Sequence, residues 1–226
     1  MKTKAAVEFI ESCAWGQALT REQLQRVRTD VRERCVPSGG VVCHSGNPVV
    51  YWKGMIEGLV KMSVTSQGGR TSTLTGLAPG AWFGEGPVLR SRTWDFDGVA
   101  MRDTRLALVP STTFHWLLEV SPAFNRFVIE QLNERLAQFL SILEAERLEV
   151  AETRVARCLA WLFNTVLYPG VGAHLSLTQQ EIGYLSGVSR QRVNRALKIM
   201  EDAGVLEVKY GSVHVRDLQA LQDFRA

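Results

Sequence analysis

The chain has no stretch of about 20 uncharged apolar residues, so no segment reads as a membrane-spanning helix. Its four cysteines, Cys13, Cys35, Cys43 and Cys158, form no C-x-x-C pair, which argues against a zinc ribbon or a dithiol redox motif. They read as reduced, structural thiols, and the only hint of a thiol switch is that Cys35 and Cys43 are close in sequence. The four histidines are scattered without an H-x-H pair, so the metal site of a cupin-like enzyme is missing. A P-loop and a nucleophile elbow are missing too, and an enzyme is not expected. Charge is nearly balanced: 26 basic against 23 acidic residues leave +3, which permits a nucleic-acid partner without demanding one. Met1-Lys2-Thr3-Lys4 is a basic start, but Glu8, Glu11 and Gln17 interrupt what would be the apolar core of a signal peptide. The expectation is a cytoplasmic protein with no membrane partner. At 226 residues the chain suits one large or two small domains.

Three stretches differ in character. Residues 36–109 are rich in glycine and in short apolar alternations, such as Val60, Met62 and Val64 between Lys61, Ser63 and Thr65. Gly39-Gly40, Gly46-Asn47-Pro48 and Gly68-Gly69 punctuate them as turns, which predicts a sandwich or barrel. Weak helical patterning precedes them over residues 5–30. Ser121-Pro122 then reads as an N-cap with proline at N1, and no further proline or glycine occurs before Pro169. Ile129, Leu136, Leu143 and Val150 recur every seven residues, with Leu132 and Phe139 between them, which predicts a two-helix seam. Leu140 and Ile142 widen this stripe enough for the helix to touch both its own sheet and a partner helix. Near the end, Val205–Lys209 and Ser212–Val215 alternate around Tyr210-Gly211, as two short strands placed after helices.

The segment Leu177–Lys198 carries the chemistry. Thr178 and Glu181 fit a capping box, Gly187 is placed to end a first helix, and Ser189 to cap a second. Two short helices about such a turn form a helix-turn-helix. At 100° per residue, Val193, Ala196, Leu197 and Met200 fall within an arc of about 100°, and Arg190, Gln191, Asn194, Arg195 and Lys198 occupy another of about 140°. From Gly187 to Lys198 there are four basic residues and no acidic one, whereas solvated helix faces usually mix Glu with Lys. Arginine offers two donors to guanine O6 and N7, and asparagine or glutamine pairs with adenine, so this face suits major-groove readout. Ser189, Arg192 and Lys198 are placed as phosphate contacts.

Gln180-Glu181-Ile182-Gly183, Val188-Ser189-Arg190, Val193 and Arg195 resemble the winged helix of the Crp/Fnr transcription regulators, a family whose catabolite activator is a standard helix-turn-helix example. The resemblance covers nearly the whole chain. It implies an α+β protein with a jelly-roll-like, cyclic-nucleotide-binding-like β-roll over 1–120, a dimerisation helix over 121–150 and a winged helix-turn-helix over 151–226. It further implies a homodimer on an inverted-repeat operator in double-stranded DNA, and RNA polymerase as a partner where such a regulator activates. By the same resemblance Arg190 and Arg195 stand where relatives contact guanines, and Gln191 stands where many carry a base-reading glutamate.

The sensor half departs from the family pattern. Gly84-Glu85 resembles the start of the phosphate-binding cassette, in which a Gly-Glu pair is followed about ten residues later by Arg-Ser. Arg90-Ser91 comes too early, and Asp95, Phe96 and Asp97 stand near the required place, where two carboxylates would repel a phosphate. Arg92 is the remaining cation able to reach inward. Where cyclic-AMP-binding members present small hydroxyl residues to the purine, counting back from Arg154 places Phe139 and Leu140. Cyclic AMP is therefore not expected as the effector; an apolar or aromatic molecule, or no small ligand, fits better. An iron–sulfur member would need clustered N-terminal cysteines, and Cys13 stands alone. His44 and His115 are the candidate haem ligands, and each reads better as structural. Among the tryptophans Trp82, Trp94 and Trp116 are pocket candidates, and a core position is the better reading for each. The competing class is a cyclic-nucleotide-binding module acting on a protein partner, against which the acid-free Arg190–Lys198 face argues.

Overall fold

The computed structural model describes residues 4–225. Met1, Lys2 and Thr3 of the basic start, and Ala226, lie outside the described residues. Three helices come first, α1 (Lys4–Ser12), α2 (Ala14–Gln17) and α3 (Arg21–Asp30). The last begins at a full capping box between Thr20 and Gln23. Then follow β1 (Arg32–Val36), β2 (Val41–Cys43), β3 (Tyr51–Glu57), β4 (Val60–Thr65), β5 (Thr71–Leu77), β6 (Trp82–Phe83), the short α4 (Glu85–Leu89), β7 (Asp97–Ala100) and β8 (Thr104–Pro110). They pair antiparallel as two four-stranded sheets, β1-β8-β3-β6 and β2-β7-β4-β5, the two-layer arrangement expected from the turn spacing. The expected alternation along β4 breaks at a register shift between Met62 and Ser63, which buries Ser63.

The period of two along β3 separates two cores. Met55 joins Met62, Phe83, Trp94, Phe96 and Leu106 between the sheets. Trp52 faces outward, beneath the helices, with Trp15, Trp82, Phe114 and Phe124. In that outer core Trp52 stacks on Trp82 at 4.0 Å, and Trp15 and Phe124 meet edge to face at 5.4 Å. Such pairs add roughly 0.5–1.5 kcal/mol each beyond their burial.

Helix α5 (Ser111–Val120) leads into α6 (Pro122–Leu148). Ser121 caps α6 by accepting from Phe124 N at 3.2 Å, with Pro122 in the first turn, as the sequence predicts. Two stripes about 120° apart run along this helix. Phe124, Val128, Gln131, Arg135 and Gln138 are buried against the roll. Ile129, Leu132, Leu136, Leu140 and Leu143 are exposed, Ile129 by 65% and Leu140 by 59%. The heptad series overshoots at its end, because α6 stops at Leu148 and Val150 is the N-cap of the next helix.

The remainder comprises α7 (Ala151–Leu162), β9 (His174–Leu175), α8 (Gln179–Ser186), α9 (Arg190–Asp202), β10 (Leu206–Lys209), β11 (Ser212–Val215) and α10 (Leu218–Asp223). The expected hairpin pairs Lys209 with Ser212 across Tyr210-Gly211, and β9 adds a third strand that sequence periodicity did not show. This unit rests on the roll. The Tyr168 hydroxyl donates to Gly76 O at 2.9 Å, Lys61 lies over the Tyr184 ring, and Arg102 pairs with Glu181. No helix among the described residues is long and apolar enough to cross a membrane.

Candidate nucleic-acid interface

The first helix of the helix-turn-helix starts where its capping box predicts. Thr178 accepts from Glu181 N at 3.2 Å, and Glu181 Oε2 accepts from Thr178 N at 2.8 Å. Gly187 ends the helix at φ 65°, a left-handed conformation that costs glycine little and a side-chain-bearing residue more. The second helix, α9, buries Val193, Ala196, Leu197 and Met200, the four residues assigned to its core face. Arg190, Gln191, Asn194, Arg195 and Lys198 are exposed together on the other face, with Arg192 at its edge one turn before Arg195. Ser189 occupies the N-cap position but its side chain makes no capping hydrogen bond, contrary to expectation. Its side chain is exposed.

Polar neighbours orient this face. Gln179 Nε2 donates to Asn194 Oδ1 at 3.2 Å, and Glu152, at the start of α7, holds Arg195 at 3.5 Å. Arg195 is three-quarters exposed, so that pair is worth little and yields easily. No described acid pairs with Arg190, Arg192 or Lys198. Arg190 borders a groove with Gln179, Gln180, Lys209 and Tyr210, and Tyr210 stands fully exposed at the hairpin tip. Lys209 and Tyr210 were not singled out in the sequence; the available signal was a lone aromatic in a turn beside a lysine.

The sensor interior differs from its expected form. Gly84 precedes α4 at φ 92°, and the Trp94 ring packs so closely that a Cβ on Gly84 would meet it at 2.5 Å. Phe96 is buried edge to face with Trp94 at 5.4 Å. The Lys53 ammonium lies over the Trp94 ring at 3.9 Å. Burial, with Arg34 nearby, pulls that ammonium down to about 8. The two carboxylates assigned to repel a phosphate do not face inward. Asp95 is exposed and pairs with Arg90 at 2.8 Å, and Asp97 pairs with His44 at 2.6 Å while accepting from Ser45 N. Arg92 is exposed on the outer surface beside Trp116 and does not reach inward. Aromatic rings, not the two carboxylates, fill this interior.

Glu85 is buried, and burial pushes its carboxyl above the usual range while Arg135 opposes the shift. Its Oε2 is buried without a hydrogen-bond partner in the described structure. Arg135, from the inner stripe of α6, donates to Tyr168 Oη at 2.9 Å, Gln138 Oε1 at 3.0 Å and Trp82 O at 3.2 Å. This buried network ties α6, the roll and the segment after α7 together. It was not foreseen, although Gln131, Arg135 and Gln138 repeat at helical spacing. Phe139 is half-buried against the inner core, whereas Leu140 belongs to the exposed stripe, so the structure does not bring the two together in one pocket. The Cys13, Cys43 and Cys158 thiols are pushed by burial to about 11, 11 and 12, which leaves them unreactive near neutral pH. His115 contacts Val88 O at 3.1 Å, a structural role.

Comparison with known proteins follows the same division. Residues 33–121 match the cyclic nucleotide-binding domain, and residues 153–224 match the Crp-like helix-turn-helix domain. The chain is 27% identical over 205 residues to the cyclic AMP receptor protein of Thermus thermophilus, covering 91% of this chain and 93% of that one. It is 27% identical over 175 residues to the cAMP-activated global transcriptional regulator CRP of Haemophilus influenzae, covering 75% and 77%. Among solved structures, FixK2 from Bradyrhizobium japonicum shares the fold at a TM-score of 0.70 and 19% identity, over 87% of this chain and 98% of that one. An assembly of roll, long helix and winged helix-turn-helix, matched along its length in this way, is a DNA-binding regulator and not an enzyme: the chain belongs to the Crp/Fnr family of transcription regulators.

Proposed function

We propose that the protein is a homodimeric, sequence-specific regulator that joins along the exposed stripe of α6 and sets α9 of each protomer in the major groove of an inverted repeat. The observation that carries this reading is the exposed stretch Arg190–Lys198 of α9, where Arg190, Gln191, Asn194, Arg195 and Lys198 stand side by side with no acid among them, Glu201 and Asp202 following only at the end of the helix. Arg190 and Arg195 read guanines, Gln191 and Asn194 read neighbouring bases, and Ser189, Arg192 and Lys198 hold phosphates. The stripe Ile129–Leu143 runs about 21 Å along α6 and leaves large aliphatic side chains in water, a surface that suits a second copy of the helix. Two recognition helices about 34 Å apart then face half-sites one turn apart. RNA polymerase is the further partner where the protein activates.

Relatives carry cyclic AMP in their names. In this chain the packing of Trp94 on Gly84, the burial of Phe96 and the outward turn of Arg92 support an effector other than cyclic AMP, or none. The test is selection of bound sequences from random DNA, followed by calorimetry with cyclic AMP. A palindromic site with a G·C pair in each half and no stoichiometric cyclic AMP binding supports the reading. A purified protein with no sequence preference overturns its first half, and tight cyclic AMP binding that raises DNA affinity overturns its second.

A further inference from the structure

Away from the roll interior, the flank of α6 holds a cleft of about 600 Å³. That volume lies within the range of small-molecule sites, roughly 300–1,000 Å³. Its walls come from α1, α2, the first half of α6, the loop before β6, and the 165–170 loop that leads from α7 to the winged unit. Phe9 stacks on Trp82 at 5.5 Å and 23°, and Phe127 faces the same space from α6. The walls are tied in place: Trp82 Nε1 donates to Cys13 Sγ at 3.3 Å, Gln131 Nε2 to Val166 O at 2.9 Å, and Asn164 Nδ2 to Glu134 Oε1 at 2.6 Å.

The charge of the lining is selective. Among the described residues Glu130 is the one charged residue bordering the cleft, it is exposed, and no described cation pairs with it. A phosphate or carboxylate placed there meets, among the described residues, no lysine, arginine or histidine and one like charge. An aromatic ring meets three aromatic side chains, and an amine on that ring meets a free carboxylate.

We propose that this cleft is a binding site for a small aromatic molecule, neutral or carrying an amine, and that its occupancy is read by the DNA-binding unit through the 165–170 loop. The second clause rests on the regulator reading above; the first does not. The site is chemically opposite to one for a cyclic nucleotide, which needs a cation for its phosphate.

Calorimetry of the full chain with tryptamine, indole and indole-3-acetate tests this, because the three probes share a ring and differ in charge. Saturable binding of tryptamine and indole is expected, tryptamine tighter by about threefold, the size of an exposed ion pair. Indole-3-acetate is expected to be the weakest. Glu130→Gln should bring tryptamine to the affinity of indole. Ala14→Trp, which puts a bulky side chain into the cleft from α2, should abolish binding of all three, with an unchanged circular-dichroism spectrum showing that it folds. If that variant does not fold, the Glu130→Gln comparison decides alone. Binding of none of the probes at millimolar concentration, binding that survives a folded Ala14→Trp, or equal affinity for the acid and the amine overturns the site. Operator affinity with and without saturating tryptamine tests the coupling; an unchanged value overturns that clause and leaves the site standing. A failure to bind any DNA falls on the regulator reading and does not touch the calorimetry.

Discussion

In the β-roll, Arg90 is closed onto Asp95, His44 onto Asp97 and Lys53 onto the Trp94 ring. On α9, Arg190 and Lys198 stand in solvent beside Gln191 with no acid partner. Both regions carry charged residues within segments that the sequence marks out. In the first the chain has paired those groups with its own side chains, and in the second it has left Arg190 and Lys198 free and holds Arg195 only loosely through Glu152. A charged side chain contributes to recognition only if the free protein does not already satisfy it, since an internal partner must be displaced before a ligand can bind. Residue type at a family position is therefore weaker evidence than the partner that residue already has.

Four experiments would break or sharpen this contrast. The largest effect is expected from Leu136→Glu, which places a charge in the middle of the exposed stripe. Monomers should appear in sedimentation, and operator affinity should fall by at least about 100-fold as the two linked half-site contacts become separate. A dimer with full affinity would mean that α6 is not the seam. Next, Trp94→Ala removes the ring that fills the roll and should cost about 3–5 kcal/mol in denaturant unfolding. If stability barely changes, the ring is not the filler described here.

On the open face, Arg190→Ala should lose roughly 1–3 kcal/mol against operators with the preferred base and little against those already altered at that position. Lys198→Ala should weaken every sequence alike and lower the salt slope by about 1. Equal losses for Arg190→Ala across a panel of single-base operator variants would reduce that arginine to a phosphate contact.

The smallest effect concerns Lys53, whose folded value of about 8 lies below the 10.5 of the free side chain. A cation with a lowered folded value weakens the fold most below pH 8, and the penalty fades as pH rises from 8 to 10.5. Lys53→Met should therefore stabilise the protein at pH 7 by on the order of 2 kcal/mol and flatten the rise in stability over that window. Unfolding curves at pH 7 and pH 10 for both proteins check the sign, and a loss of stability at pH 7 would show that the contact with Trp94 outweighs the burial cost.

The helix-turn-helix was legible because its determinants are local. A capping box, a left-handed glycine and a face repeating every three to four residues sit within about two dozen positions of one another, and each acts on its own neighbours. The start of α6 was legible from Ser121-Pro122 for the same reason. The sensor interior was not. Asp95 and Asp97 were expected to face a phosphate, and nothing adjacent in sequence shows that Arg90 and His44 turn them outward. Lys53 and Trp94 are 41 positions apart and meet only once the sheets have closed. The Arg135–Gln138–Tyr168 network likewise joins residues whose common destination is set by the docking of α6 on the roll. Glu130 and Phe127 likewise meet the 165–170 loop only through the packing of α6 against the segment after α7.

Glu181 divides its two oxygens between two tasks. Oε2 accepts from Thr178 and secures the first turn of α8, while Oε1 takes the Arg102 guanidinium from the roll. A glutamine at this position could still close the capping box but could not carry the charge, so the two tasks are separable by a single substitution. Lineages that exchange Glu181 for glutamine would keep the start of α8 while its hold on the roll is loosened. At this residue the docking of the winged unit on the roll can be weakened without touching the exposed face of α9.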